Sequence, residues 1–342
     1  MIVKKHFTQV NGYRLGFASV GAEAAPAVVL SHSLATKAEV WGYQLPLLSR
    51  HFRVILYDVR GHGESEASRD SYSLEELAND VVKLLDHLSI ARAALVGISL
   101  GGMIGQVLAL TAPERLAALV LCSTGSEANE AMKASLDLRI EAVRLKGMES
   151  QVESTLARWF GQEFLQSAPR TTAWIADLIR TTSPDGFIGG CRALQELNVT
   201  ERLKQIKVPT LLVPGEKDLA FPPSLAEFIR DRIDGSKLEV LRGAAHLGIV
   251  EQAQLQGVHV QSVGQLIHSG FQGIQAGNRA GATHPHGRAE VAARLGPGHF
   301  EVGDAIEIRG GLAAAFIEIV EHRCDAQIVV AKSEQSTVLR RA

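Results

Sequence analysis

Cysteine is scarce in this sequence, with three residues among 342, at Cys122, Cys191 and Cys324. No two of them share the CxxC spacing of redox or zinc motifs, and three are too few for a disulfide framework. Nowhere do His, Cys and carboxylate residues follow one another at metal-ligand spacing, so we expect no metal site. Unpaired thiols of this kind predict a reducing, cytoplasmic setting.

Long apolar runs and an excess of one charge are also missing. The longest apolar runs, such as residues 117–122, are far too short to cross a bilayer. The start MIVKKHFTQV leads into no apolar segment, so we expect no signal peptide. Lys and Arg number 35 against 37 Asp and Glu, which argues against a general polyanion binder. The expected partner is a small molecule, with no membrane and no nucleic acid, and a homo-oligomer stays open.

The first part of the chain alternates short apolar strands with helical stretches. Strands separated by helices predict βαβ units and a mostly parallel sheet. Near-continuous Val, Leu and Ile runs are typical of strands that are covered on both faces. The expected strands are residues 27–30, 52–58, 93–98 and 116–121, and the expected helices are 74–88 and 100–110.

The pattern changes between about residues 127 and 200, where the sequence predicts helices and no strand. Aromatic residues make up only 5% of the chain, yet several of them lie in this segment. We interpret it as a helical cap inserted over the sheet. The strand pattern returns at 208–213 and 238–241, and a last helix is expected at 253–267.

The composition shifts again after residue 269. Residues 270–290 are rich in Gly, Ala, His and Arg, which is typical of a linker. Short strands are then expected at 300–309, 315–320 and 326–330. We therefore predict an α/β domain over residues 1–269 and a small extension over 270–342, β in character and of unassigned role.

Part of this extension carries a weak resemblance of its own. The stretch GHFEVGDAIEIRGGLAAAFIEIV has VGD before a strand and a Gly-Gly turn, and it weakly resembles a KOW module, the SH3-like barrel of transcription-elongation factors. It has no clear basic patch, so nucleic-acid binding is not expected. The alternatives that we favour are a disordered or accessory tail, or an accidental fusion.

Gly97-Ile98-Ser99-Leu100-Gly101 is a GxSxG element between an apolar strand and a helix. This context is typical of a nucleophile elbow, in which a strained serine occupies a sharp turn and small neighbours let the backbones pass. The hydroxyl then lies at the N-terminus of the helix, whose positive end favours an oxyanion. Ser99 is the predicted nucleophile, and a helix N-cap serine is the alternative.

A serine nucleophile needs a base and an acid that orients the base. In α/β hydrolases the chain order is Ser, acid, His, with the histidine in a loop after the last strand. His246 follows the predicted strand 238–241, and Asp218 follows the predicted strand 208–213. We therefore predict His246 as base and Asp218 as acid, with Glu216 as the rival acid.

An oxyanion hole needs two backbone N–H groups. One belongs to Leu100, the residue after the nucleophile, and the other is expected from the loop after the first central strand, with Leu34 as donor and Ser33 beside it. His32 is expected to brace this loop through its ring. The glycine-rich loop 58–65 lacks phosphate-binding spacing, and we interpret it as a structural turn near the elbow.

Longer stretches of the sequence carry a family resemblance. They include SHSLAT, YDVRGHGES, ALVGISLGGMIGQVLAL, VPTLLVPGEKD and GAAHLGIVEQ, together with the cap segments RWFGQEF and DGFIGGCRAL. Through these segments, residues 1 to about 252 resemble the 3-oxoadipate enol-lactonase group of α/β hydrolases. His32 and Ala35 stand where that group usually has Asn and Gly.

The resemblance implies an α/β-hydrolase fold that cleaves a small lactone in aromatic-acid catabolism, the β-ketoadipate pathway, without a cofactor. Ser33 and Trp159 would then contact the substrate, although a packing role in the cap is an equal alternative for Trp159. The carboxymethyl arm of such a lactone would need a cation nearby. The candidate cations are Lys37, Arg139, Arg144 and Arg158.

Other functions would use the same residues. A general carboxylesterase, another lactonase, a C–C hydrolase or a perhydrolase can operate on this triad, and only substrates distinguish them. A different class is a non-catalytic receptor that keeps the hydrolase fold and binds a small ligand under the cap. A complete set of Ser, Asp and His favours an enzyme, because a receptor has no need of all three.

Overall fold

The computed structural model describes residues 4–67, 71–252, 262–272, 328–333 and 336–341. The chain divides into two compact units, Met1–Thr283 and His284–Ala342. The domain limit predicted at residues 269/270 stays a prediction. None of the helices in these described stretches is long and apolar enough to cross a membrane.

The larger unit is built on a sheet of eight strands. They are β1 (His6–Val10), β2 (Tyr13–Val20), β3 (Ala27–Ser31), β4 (Arg53–Tyr57), β5 (Ala93–Ile98), β6 (Leu116–Cys122), β7 (Thr210–Val213) and β8 (Lys237–Leu238). Their order is β1-β2-β4-β3-β5-β6-β7-β8; the β1–β2 and β2–β4 pairs are antiparallel, and the remaining pairs are parallel. β3, β5 and β6 are buried along their whole length, as expected for strands covered on both faces. The predicted mostly parallel sheet is confirmed.

Helices cover both faces of this sheet and also form the segment between β6 and β7. That segment contains α4 to α8 and no named strand, in agreement with the predicted helical insertion. The helices are α1 (Leu45–Leu48), α2 (Leu74–His87), α3 (Leu100–Thr111), α4 (Glu130–Lys146), α5 (Glu149–Trp159), α6 (Gln162–Ser167), α7 (Pro169–Arg180), α8 (Pro184–Gln195), α9 (Pro223–Arg230), α10 (Gly248–Glu251) and α11 (residues 262–272).

Two regions differ from the sequence prediction. The hairpin of β1 and β2 was not predicted; its turn is Asn11-Gly12, and both residues have positive φ, which suits a tight hairpin. Of the expected last helix at 253–267, residues 253–261 lie outside the described residues, and α11 continues past its predicted end to residue 272.

The strand predicted at 238–241 is interrupted, and β8 ends at Leu238. The Glu239 N–H still donates to the carbonyl of Leu212 on the neighbouring strand. The next donor on that strand would be Pro214, which has no N–H, so the regular ladder stops there. Pairing resumes as an isolated bridge between Gly215 and Leu241. The proline therefore accounts for the shortened strand.

In the smaller unit the described residues form one antiparallel hairpin. It consists of β9 (Ile328–Ser333) and β10 (Ser336–Arg341). β9 overlaps the strand predicted at 326–330, and β10 was not predicted. The strands predicted at 300–309 and 315–320, together with the KOW-like stretch, lie outside the described residues.

The turn from β5 into α3 depends on close backbone packing. Ser99 lies between the two elements with φ +54° and ψ −115°, a conformation that non-glycine residues rarely adopt. A Cβ on Gly97 would overlap the carbonyl of Gly101, and a Cβ on Gly101 would overlap the carbonyl of Ser31 at the end of β3. The glycines of GxSxG thus bring the end of β3 directly against the first turn of α3.

Two buried histidines fasten the loop after β3 to the loop after β4. His32 accepts a hydrogen bond from the Val59 N–H at its Nε2 (2.8 Å). His62 accepts one from the Ala35 N–H at its Nε2 (3.2 Å), and its Nδ1 donates to the Arg60 carbonyl (3.0 Å). Ala35 has φ +61°, a conformation that glycine adopts more easily. The rings hold this loop in place as neutral acceptors, and the expected bracing role of His32 is confirmed.

Both imidazoles remain neutral well below the ordinary histidine range. Burial lowers the pKa of His32 from 6.5 to about 4. Burial, together with the neighbouring His32, lowers the pKa of His62 to about 3. Protonation would replace an acceptor by a second donor and break each contact with a backbone N–H.

We expect Gly101→Ala to destabilise the fold, because its new Cβ has no room beside the Ser31 carbonyl. The free energy of unfolding should fall by about 1–3 kcal/mol, as for other overpacked sites. Urea unfolding measures this change. Gly264→Ala is the matched control: this glycine is also helical but has open space around it, so alanine should leave stability unchanged or raise it. Equal stability of the two variants would contradict the close-packing argument.

We also expect acid to weaken the fold through the two histidines. In the unfolded chain they bind protons below about pH 6.5, whereas in the folded chain they stay neutral down to about 4 and about 3. The unfolded state therefore binds more protons in this window, and stability falls as the pH is lowered through it. From pH 7 to 5.5 the loss should be about 1 kcal/mol for each histidine. Urea unfolding of His62→Gln should show a correspondingly smaller pH dependence; the same dependence as in the unmodified protein would contradict this explanation.

Candidate active site

Asp218 and His246 form a buried hydrogen-bonded pair. Asp218 lies in the loop after β7, and His246 lies in the loop after β8. The His246 Nδ1 is 2.9 Å from the Asp218 Oδ2, and the two residues are only 1% and 2% exposed. A carboxylate can only accept, so Nδ1 carries the proton and Nε2 is left as a base.

The Asp218 carboxylate is held in its charged form by several donors. Its Oδ1 accepts the N–H groups of Ala220 (2.9 Å) and Phe221 (3.0 Å). Burial alone would raise the pKa of Asp218, but the charge and hydrogen bond of His246, the Phe221 N–H and the Ser123 hydroxyl together hold it below its ordinary value. An ionised Asp218 can therefore orient the imidazole and stabilise its protonated form.

Glu216, the rival acid, is directed elsewhere. Its Oε2 accepts the Gly243 N–H at 2.7 Å, on the exposed side of the turn that precedes His246. The turn thus uses Glu216 to hold its own backbone, while Asp218 contacts the imidazole. The two acids, two residues apart in sequence, differ in burial and in partner.

Ser99 lies at the same edge of the sheet as this pair. Its N–H donates to the Cys122 carbonyl at the end of β6 (2.9 Å), and its carbonyl accepts the Thr124 hydroxyl (2.9 Å). Ser123, between these two residues, is beside Asp218. The side chain of Ser99 makes no hydrogen bond within the described part of the chain. Hydrogen bonds between active-site side chains often form fully only when substrate is bound.

Leu34 and Leu100 present their backbone N–H groups near the elbow. Within the described residues, neither N–H donates to a protein acceptor, whereas the neighbouring Ala35 N–H is taken by His62. Leu34 belongs to the loop that follows Ser31, the last residue of β3, whose carbonyl packs against Gly101. Ser33 is fully buried, and its hydroxyl faces Thr36 within the same loop (3.4 Å).

Two aromatic rings enclose the His246 imidazole. Trp159, at the end of α5, stacks on it with a centroid distance of 6.0 Å and an interplanar angle of 25°. Phe221 stacks on it at 5.7 Å and 29°. The sequence analysis singled out Trp159 but missed Phe221 and Ser123. For Phe221 a signal was available: it lies only three residues after Asp218, in the same turn.

Glu251 connects the cap with the loop of His246, and it was also missed. One carboxylate oxygen accepts the Ala245 N–H and the other accepts the Gly161 N–H, just after α5 (3.2 Å). The Leu247 N–H donates to the carbonyl of Trp159 (3.3 Å). These contacts tie both neighbours of His246 to the end of α5. Among the described residues, no group of three or more His, Cys, Asp or Glu is arranged to hold a metal ion.

Comparison with known proteins agrees with this fold. A family model for the alpha/beta hydrolase fold matches residues 26–253. Over 249 residues the chain is 33% identical to 3-oxoadipate enol-lactonase 2 of Acinetobacter baylyi, covering 73% of this chain and 92% of that protein.

Solved structures give the same result. The enol-lactonase from Burkholderia xenovorans LB400 is similar with a TM-score of 0.73 and 33% identity, covering 77% of this chain and 100% of that one. A hydrolase from Pseudomonas aeruginosa is similar with a TM-score of 0.72 and 34% identity, covering 78% and 98%. The chain therefore belongs to the α/β-hydrolase family, is related to the 3-oxoadipate enol-lactonases, and is a hydrolase.

Proposed function

We propose that the protein cleaves a small lactone or carboxylic ester through an acyl-enzyme on Ser99, with 3-oxoadipate enol-lactone as its substrate. The observation that carries the reaction is the buried Asp218–His246 pair at the edge of the sheet where Ser99 occupies its strained turn. The similarity to enol-lactonases supports the substrate.

In the first half of the reaction, the His246 Nε2 accepts the Ser99 proton while the Ser99 Oγ bonds to the carbonyl carbon. The carbonyl π electrons move to the oxygen, and the N–H groups of Leu34 and Leu100 stabilise the resulting oxyanion. Collapse of this intermediate breaks the ester C–O bond, and the imidazolium gives its proton to the departing oxygen. In a lactone, the departing oxygen stays attached to the acyl group.

In the second half, His246 takes a proton from water, and the hydroxyl oxygen attacks the acyl carbon. The second tetrahedral intermediate expels the Ser99 Oγ, which recovers its proton from His246. Net addition of one water releases the carboxylic acid. Asp218 keeps its charge throughout, because its donors favour the ionised form.

We expect Ser99→Ala to remove turnover of 3-oxoadipate enol-lactone and of a short 4-nitrophenyl ester. Loss of a triad nucleophile typically lowers turnover by about a millionfold. Initial rates measure the loss, and an unchanged circular dichroism spectrum shows that the fold is retained. Substantial activity in the folded variant would overturn the mechanism.

The pair of substrates also tests the substrate assignment. Fast lactone turnover that requires Ser99 supports the proposal. Ester turnover without lactone turnover would keep the mechanism and reject 3-oxoadipate enol-lactone, and no turnover of either compound would favour a small-ligand receptor.

The choice of acid gives a second prediction. Asp218→Asn should lower turnover by about ten-thousandfold, because the amide can donate to Nδ1 and stabilise the wrong histidine tautomer. Glu216→Gln is the matched control, since Glu216 contacts a backbone N–H on the exposed side of the turn and should lose little activity. Steady-state kinetics of both variants decide between them: the larger loss in Glu216→Gln would mean that the acid is misassigned.

A further inference from the structure

The cap contains two arginines, Arg139 on α4 and Arg158 on α5, that are close enough for their charges to interact. The Arg139 Nε donates to the Gln151 side chain (3.0 Å), and its guanidinium lies over the Phe187 ring at 4.9 Å. Arg158 donates to the Thr155 hydroxyl at 3.3 Å. Both arginines are partly exposed, whereas Gln151, Thr155 and Phe187 are buried. These neutral contacts leave most of the guanidinium N–H groups available.

Neither arginine forms an ion pair with a carboxylate in the described part of the chain, whereas the buried Arg60 pairs with Asp80 at 2.8 Å. Of the four candidate cations, Lys37 pairs with Glu39 (3.3 Å) and Arg144 with Glu141 (3.9 Å). Burial lowers the pKa of Arg158, and burial together with the Arg158 charge lowers that of Arg139 to about 10. Two like charges that lie close together with only limited access to water are costly unless an anion compensates them.

Neighbours of the two arginines contact residues of the candidate active site. Trp159, the residue after Arg158, stacks on His246. Cys191 on α8 is close enough to both arginines to interact with their charges. Gly190, the residue before it, packs against the Leu34 side chain. Arg158 is thus adjacent in sequence to the residue that stacks on the proposed base. Both arginines also lie near Cys191, whose neighbour Gly190 packs against a proposed oxyanion donor.

We propose that Arg139 and Arg158 bind the carboxylate of an anionic ester or lactone substrate; this rests on the proposed hydrolysis at Ser99. Guanidinium groups bind carboxylates with two parallel hydrogen bonds, which lysine cannot reproduce. The pair selects substrates in which a carboxylate is carried a few bonds from the ester carbonyl. Neutral esters of the same length lack this contact.

Paired substrates test the selection. The protein should prefer mono-4-nitrophenyl glutarate over neutral 4-nitrophenyl butyrate, measured as the ratio of their kcat/KM values. Arg158→Met should lower this ratio by about 10- to 100-fold, the range expected for losing a charged hydrogen bond. Arg158→Lys should lower it less, because it keeps the charge, and it serves if the methionine variant does not fold. Arg144→Met is the matched control on α4 and should leave the ratio unchanged; an unchanged ratio in Arg158→Met would overturn the proposal.

A binding measurement separates this proposal from the proposed hydrolysis. Calorimetry of Ser99→Ala with glutarate requires no turnover, and adding Arg158→Met to that variant should weaken binding by about 10-fold or more. Adding Arg144→Met instead should not. Weaker glutarate binding with Arg158→Met supports the subsite, whether or not the unmodified protein hydrolyses an ester; absence of ester turnover would reject only the hydrolysis. Equal glutarate affinity with and without Arg158→Met rejects the subsite while leaving the hydrolysis intact.

Discussion

The close approach of two backbones, at the end of β3 and the first turn of α3, organises everything around Ser99. A side chain at Gly101 would overlap the Ser31 carbonyl, and one at Gly97 would overlap Gly101. This packing keeps Ser99 at a positive φ that it would not adopt alone. The same contact brings the loop of Leu34 to the N-terminus of α3. The positions of the proposed nucleophile and of both proposed oxyanion donors thus depend on Gly97 and Gly101, where a Cβ would not fit.

Buried charges of the core have partners of opposite charge, whereas two arginines of the cap have none among the described residues. The Asp218 carboxylate is almost fully buried, and His246, backbone N–H groups and Ser123 compensate it. The Arg60–Asp80 pair is likewise buried and matched, at 2.8 Å. Arg139 and Arg158 have only neutral partners within the described residues. A buried charge that is paired within the protein needs no further partner, whereas a charge without an opposite partner can bind a ligand of opposite charge.

The cap also contacts residues of the candidate active site. Trp159 stacks on the imidazole, and Glu251 holds both the end of α5 and the loop of His246. Gly190 on α8 packs against Leu34. His246 and Leu34, the proposed base and one proposed oxyanion donor, are therefore each in contact with the cap. Specificity can change through cap residues without altering the residues proposed to react.

The sequence by itself determined the features that depend on local order along the chain. Alternating strands and helices predicted the parallel sheet, and GxSxG between a strand and a helix located the elbow, because a tight turn needs small residues at adjacent positions. The acid and base followed from chain order. Tertiary structure alone decided which acid faces His246, since Asp218 and Glu216 share one turn and differ only in the segments they meet. It also decided the roles of Ser123, Phe221 and Glu251, and it separated the paired cations from Arg139 and Arg158. Those contacts join segments far apart in sequence, and no local pattern records the distance between them.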